Sequence, residues 1–99
     1  MKITTANQIT GNELGLVTGS YVASKVFYKD ILASVRNFFG LEITEYTKML
    51  DEARKKAIER MEKNAEEIGA DAIINVRITT AQTTQGAAEI LAYGTGVKE

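Results

Sequence analysis

The chain contains no cysteine, no histidine, no proline and no tryptophan. Without cysteine there is no disulfide framework, no thiolate nucleophile and no zinc–thiolate cluster. Without histidine the commonest catalytic base near neutral pH and the commonest transition-metal ligand are missing. A Ser-His-Asp triad and a His-based zinc site are therefore excluded. A charge excess is also lacking: 12 basic residues stand against 13 acidic ones, a net charge of -1. A duplex nucleic-acid binder carries a basic bias to neutralise several phosphates, so no nucleic-acid partner is expected. No apolar run approaches the ~20 residues of a membrane span, and Met1–Asn7 lacks the apolar core of a signal peptide. The expectation is a soluble cytoplasmic protein with no membrane partner.

What remains is the composition of an ordinary globular protein, 44% hydrophobic and 25% charged over 99 residues, which fits one domain spanning 1–99. The clearest element runs from Thr44 to Ile68. Tyr46, Met49, Leu50, Ala53, Ala57, Met61, Ala65 and Ile68 recur at spacings of three and four and draw one apolar stripe. Thr44 is placed as the N-cap, with Glu45 at the positive end of the helix dipole, and Gly69 as the C-cap. The other face is expected to pair internally at i,i+4: Asp51 with Lys55, Glu52 with Lys56, Glu59 with Lys63. Ala72–Thr80 alternates as a strand, with Ile74, Val76 and Ile78 on one face and Ile73, Asn75, Arg77 and Thr79 on the other. A polar connection over Ala81–Ala87 leads to a returning strand, Ala88–Val97, and a hairpin. A short strand is expected at Ile3–Thr5. Another is expected at Leu14–Val22, where Gly15 and Gly19 suggest a bulge or close backbone packing. A short helix is placed between Asp30 and Gly40.

Gly69-Ala70-Asp71-Ala72-Ile73-Ile74 followed by Val76 and Ile78, together with the ending Ala92-Tyr93-Gly94-Thr95-Gly96-Val97-Lys98, resembles the YbjQ-like family of small bacterial and archaeal proteins, which carries a heavy-metal-binding label. Gly15-Leu16-Val17-Thr18-Gly19 and Lys29-Asp30 with Arg36 support the likeness, which extends over nearly the whole chain. The family's segment between the two helices often holds a glycine-rich loop with an arginine and a serine, whereas here it reads Gly40-Leu41-Glu42-Ile43-Thr44. The resemblance implies an α+β fold of the YbjQ-like or dodecin-like kind. A small antiparallel sheet would be covered by one long helix plus a short helix, and the subunits would assemble into a ring similar to a homopentamer.

Several residues invite sharper readings. Oxygen donors and methionine sulfur are the only ligands left for a metal, a set suited to Mg²⁺ or Ca²⁺ and not to a soft ion. Met49 and Met61 lie on the core stripe, and no calcium-loop spacing is present, so no metal and no cofactor are expected. Arg54-Lys55-Lys56 with Arg60 and Lys63 reads as a solvated helix face, because acids interleave with the bases. Gly15–Ser20 has no lysine at the P-loop position. Asp30, Arg36, Tyr46, Asp71 and Arg77 are the polar residues placed nearest buried surface. As structural groups they cap helices or bridge subunits, and as a site they bind a small anionic molecule at a subunit cleft. Independently of the family, Ile73 opposes the Ile74 face, and Leu91 and Tyr93 oppose the Ile90 face. Both sheet faces thus carry apolar groups that one helix does not cover, which points to self-assembly. The leading expectation is a non-catalytic, ring-forming homo-oligomer, structural or binding a small molecule between subunits. A metal-binding protein is the alternative, and an enzyme with an interfacial carboxylate or tyrosine acid/base is the third.

Overall fold

The computed structural model describes residues 1–8, 11–24, 41–84 and 87–99. In chain order the elements are β1 (Lys2–Ile3), β2 (Asn12–Ser24), α1 (Leu41–Glu67), β3 (Ala72–Thr84) and β4 (Ala87–Lys98). The strands form one sheet in the order β1-β3-β4-β2, packed against one helix, an α+β architecture. β3 and β4 make the expected hairpin and β4 pairs antiparallel with β2, while β1 lies parallel to β3, so the sheet is mixed. The expected short helix over Asp30–Gly40 lies outside the described residues.

The helix is longer at its start than its polar signals suggest. It begins at Leu41, three residues before Thr44, so Thr44 is not its N-cap. Leucine and glutamate are strong helix formers, so the sequence before Thr44 continues the helix instead of starting it there. The apolar stripe is where the spacing puts it, with Met49, Ala53, Ala57, Met61 and Ala65 all buried. Ile68 departs from it and is 47% exposed, because the helix has ended before it. The ending is a Schellman turn: Ala70 N–H donates to the Ala65 carbonyl and Gly69 N–H to the Glu66 carbonyl, both at 3.0 Å. Gly69 has φ +86°, the left-handed conformation that the C-cap reading requires. On the solvent side two ion pairs run at i,i+3, Asp51 with Arg54 and Glu59 with Lys56 at 3.8 Å.

The helix rests chiefly on β2. A Cβ on Gly19 would collide with the backbone of Ala57 and Met61, so this glycine is what lets the helix backbone lie directly on the strand. Around that contact Val17, Ala23, Ile73, Val76, Ile90 and Ala92 join the helix stripe in one core.

Two strands depart from simple alternation. β2 has a bulge between Glu13 and Gly15. β3 has one between Ile74 and Arg77, where Asn75 adopts φ +54°. The extra residue reverses the parity, since a side-chain period of two cannot survive an inserted position. Ile73 and Val76 therefore share the helix-facing core, while Ile74 joins Ala72 and Val97 in a separate cluster. This corrects the expected grouping of Ile74 with Val76 and Ile78. The cause is long-range: Asn75 N–H donates to the Ala6 carbonyl at 2.7 Å and Val76 N–H to the Thr4 carbonyl at 3.0 Å. The hairpin is also longer than expected, because β3 continues through Thr84 and β4 resumes at Ala87, leaving two residues between the strands where a longer polar connection was anticipated.

Candidate functional site: the open face of the sheet

Asn12–Ser24 carries two alternating sets of side chains. Val17, Gly19, Tyr21 and Ala23 turn toward the helix, and Val17, Gly19 and Ala23 are buried. Leu14, Leu16, Thr18, Ser20 and Val22 are exposed. The strand register continues the exposed set across the sheet. Leu16 lies opposite Thr95, Thr18 opposite Tyr93, Ser20 opposite Leu91 and Val22 opposite Glu89. On the far side of β4, Tyr93 faces Arg77 and Leu91 faces Thr79. Directly paired residues share a face, so these rows define the side of the sheet turned away from α1.

That side is a mixture of apolar and hydroxyl groups. Leu16 is 73% exposed and Val22 48%, and Leu91 and Tyr93 are half-buried between them. Large aliphatic side chains this open on a regular strand leave apolar area in water, at ~25 cal/mol per Å². The backbone is open too. β1 pairs only with Ala72 and Ile73, so the outer edge of β3 from Arg77 onward has no strand partner among the described residues. Such an edge is a template for pairing with another chain. The molecule is also extended. Its radius of gyration is 16.4 Å, against about 13 Å for a compact domain of this length. Its accessible surface is 6626 Å², against about 5,500 Å² for a folded monomer of 10.8 kDa.

Of the five polar residues singled out in the sequence, Asp71 and Arg77 have described side chains, and these two lie apart. Asp71 closes the end of the sheet: its N–H donates to the Val97 carbonyl at 3.0 Å, its Oδ1 accepts from Glu99 N–H at 2.9 Å, and Lys98 Nζ lies 3.9 Å from Oδ2. Arg77 ties down the N-terminal segment, its Nη1 donating to the Val76 carbonyl at 2.8 Å and the Thr5 carbonyl at 3.3 Å. Asp71 and Arg77 are six positions apart along an extended segment, a separation of roughly 20 Å. Tyr46 lies within α1 and only its place in the helix is described. Asp30 and Arg36 lie outside the described residues. The polar contacts that join helix to sheet come from Arg60, which the charge pattern assigns to the solvated face, and from Asn64. Arg60 Nη1 donates to the Ser20 carbonyl and Asn64 Nδ2 to the Thr18 carbonyl, each at 2.7 Å. Their i,i+4 spacing matched to carbonyls two apart on a strand was the available signal, but it has meaning only once β2 is known to lie beneath them.

The donor set does not suit a soft metal. The chain has no histidine or cysteine, Met49 and Met61 are packed in the core, and no three carboxylates converge among the described residues. No described helix is long and apolar enough to cross a membrane.

A family model for YbjQ proteins, described as "Putative heavy-metal-binding", matches residues 1–99. A UPF0145 protein of Methanosarcina acetivorans is 52% identical, with 99% of this chain and 96% of that protein covered. One of Thermosipho africanus is 53% identical, with 99% and 94% covered. Among solved structures, a DUF74-family protein from Pediococcus pentosaceus, titled as having unknown function, superposes with a TM-score of 0.67 at 20% identity, over 99% of this chain and 96% of that one. That last likeness concerns the fold alone.

Proposed function

The chain belongs to the YbjQ family, and from that premise we propose that it is the subunit of a cytoplasmic, ring-forming homo-oligomer. It has no catalytic machinery of its own, and it serves as a structural element or holds a small molecule where subunits meet. The observation that supports this reading is the open sheet face bounded by Leu16, Val22, Leu91 and Tyr93, beside the unpartnered outer edge of β3. A neighbour that added a strand at β3 and lay across the open face would bury backbone groups and apolar side chains together. Repeated head-to-tail, such a contact closes into a ring when its rotation permits. The family resemblance supplies the expected number, five.

Native mass spectrometry and sedimentation at micromolar concentration test this directly. The expected result is one species of several times 10.8 kDa with no stable monomer on dilution. A monodisperse, well-folded monomer overturns the reading. Native spectra of protein freshly purified from cells also report any retained small molecule, which separates a structural ring from a binding one. For the metal-binding alternative, titration with Zn²⁺, Cd²⁺ or Cu⁺ is expected to give no stoichiometric site tighter than micromolar, because hard oxygen ligands and buried thioethers are poor partners for these ions. A saturable nanomolar isotherm at one ion per subunit would restore it.

A further inference from the structure

Where α1 overhangs β2, Arg60, Lys63 and Asn64 form one wall of a cleft of about 270 Å³ whose floor is the backbone of Thr18, Gly19 and Ser20. Gly19 shapes it, since the bare strand lets the helix lie close enough for side chains on its flank to reach over the sheet edge. Arg60 is held there from two sides. One of its five N–H donors is given to the Ser20 carbonyl, and its guanidinium carbon lies 5.1 Å from the centre of the Tyr21 ring. These anchors fix the planar head while leaving four N–H donors for another group, so less rotamer entropy is lost when that group arrives. Asn64 is held likewise by the Thr18 carbonyl.

Lys63 supplies the second charge. It sits three residues from Arg60, on the same side of the helix, and makes no ion pair among the described residues. Of the acids at helical spacing from it, Glu59 is engaged with Lys56, and neither Glu66 nor Glu67 reaches it within ion-pair distance. No acidic residue lines the cleft. Within the basic stretch of the helix, Arg54 and Lys56 are paired with Asp51 and Glu59, while Arg60 and Lys63 line the cleft without an ion pair among the described residues.

We propose that this cleft binds a small oxyanion, the carboxylate or phosphate group of a small molecule. Arg60 presents a two-donor fork and Lys63 a point charge, the pairing that planar and tetrahedral oxyanions use. All the residues come from one subunit, so the site does not depend on the proposed assembly and can fail without it.

Amide-resolved NMR of the intact protein tests the proposal, with inorganic phosphate and acetate titrated separately at constant ionic strength against a chloride control. The expected result is saturable millimolar movement of the Gly19 and Ser20 backbone amides and of the Asn64 side-chain amide. Saturation by phosphate alone assigns a phosphate group, and saturation by acetate assigns a carboxylate. Lys63→Gln, which removes a charge with no ion-pair partner among the described residues, should weaken binding about tenfold, the equivalent of 1.4 kcal/mol. Arg60→Lys should weaken it while preserving charge, because the fork is lost. Movement that does not saturate, that chloride reproduces, or that Lys63→Gln leaves unchanged overturns the site. Sedimentation of the same samples reports assembly separately.

Discussion

The two faces of this sheet are built from the same kinds of strands and end in opposite conditions. On the helix side Ile73, Ile90 and Ala92 are fully buried, and Gly19 and the alanines of α1 are small enough for strand and helix backbones to touch. On the other side the same strands present Leu16 at 73% exposure, with Val22 and a belt of hydroxyl groups. One helix of 27 residues, ~40 Å long, can close one face and no more. The difference teaches that the subunit's core is finished locally. What is unfinished lies on the far face, where a second copy is the proposed cover.

The largest loss of stability is expected on the covered side. Ala57→Asp would place an uncompensated charge at a position with no exposed surface, beneath which β2 lies in backbone contact. A loss of about 3–5 kcal/mol in chemical denaturation is expected. An unchanged melting curve would mean that the helix does not pack through this stripe.

The open face should respond in a different currency. Leu16→Asp leaves every helix-facing contact in place, so the subunit should retain its far-UV circular dichroism. The apolar contribution of one leucine, about 1.5–3 kcal/mol if covered by a neighbour, would be lost from assembly. The expected outcome is a fall in sedimenting mass toward the monomer. An oligomer indifferent to charges at both Leu16 and Val22 would remove this face from the interface.

Smaller effects are expected at Gly69 and Asn75, two of the described residues with positive φ. Gly69→Val should cost about 1–2 kcal/mol, because φ +86° suits glycine and a β-branched side chain fits it poorly. Asn75→Ala should cost about 1 kcal/mol, while Asn75→Gly should be nearly neutral, since asparagine and glycine tolerate φ +54° and alanine does not. Equal stability of all three residues at position 75 would show that the bulge is imposed by the N-terminal segment irrespective of side chain.

Much of the helix was legible because its determinants are local. The stripe from Met49 to Ala65 follows from a 3.6-residue period, and Gly69 marks the stop. The parity of β3 was not legible. Simple alternation puts Ile74 with Val76, and nothing within that strand announces an inserted residue except one asparagine, a residue that also occurs in regular strands. The candidate site residues fared similarly. Asp71 and Arg77 are exposed polar groups that bond backbone partners from distant parts of the chain, Glu99 N–H and the Thr5 carbonyl. Arg60 reads as a solvent-facing helix residue because sequence spacing carries no information about the strand beneath it.

The sequence by itself therefore determined the α+β class, the long helix and its glycine stop, the β3–β4 hairpin, and the exclusion of histidine and thiolate chemistry. Each of these depends on composition or on neighbours within a few residues. Tertiary structure alone decided that β1 runs parallel to β3, that Asn75 reverses the strand's faces, and which apolar face the helix covers. It also decided that Arg60 and Lys63 meet at a cleft. These depend on contacts between segments far apart in the chain, such as Ala6 with Asn75 and Ser20 with Arg60, and local periodicity cannot encode which distant backbone group will fill a given hydrogen bond.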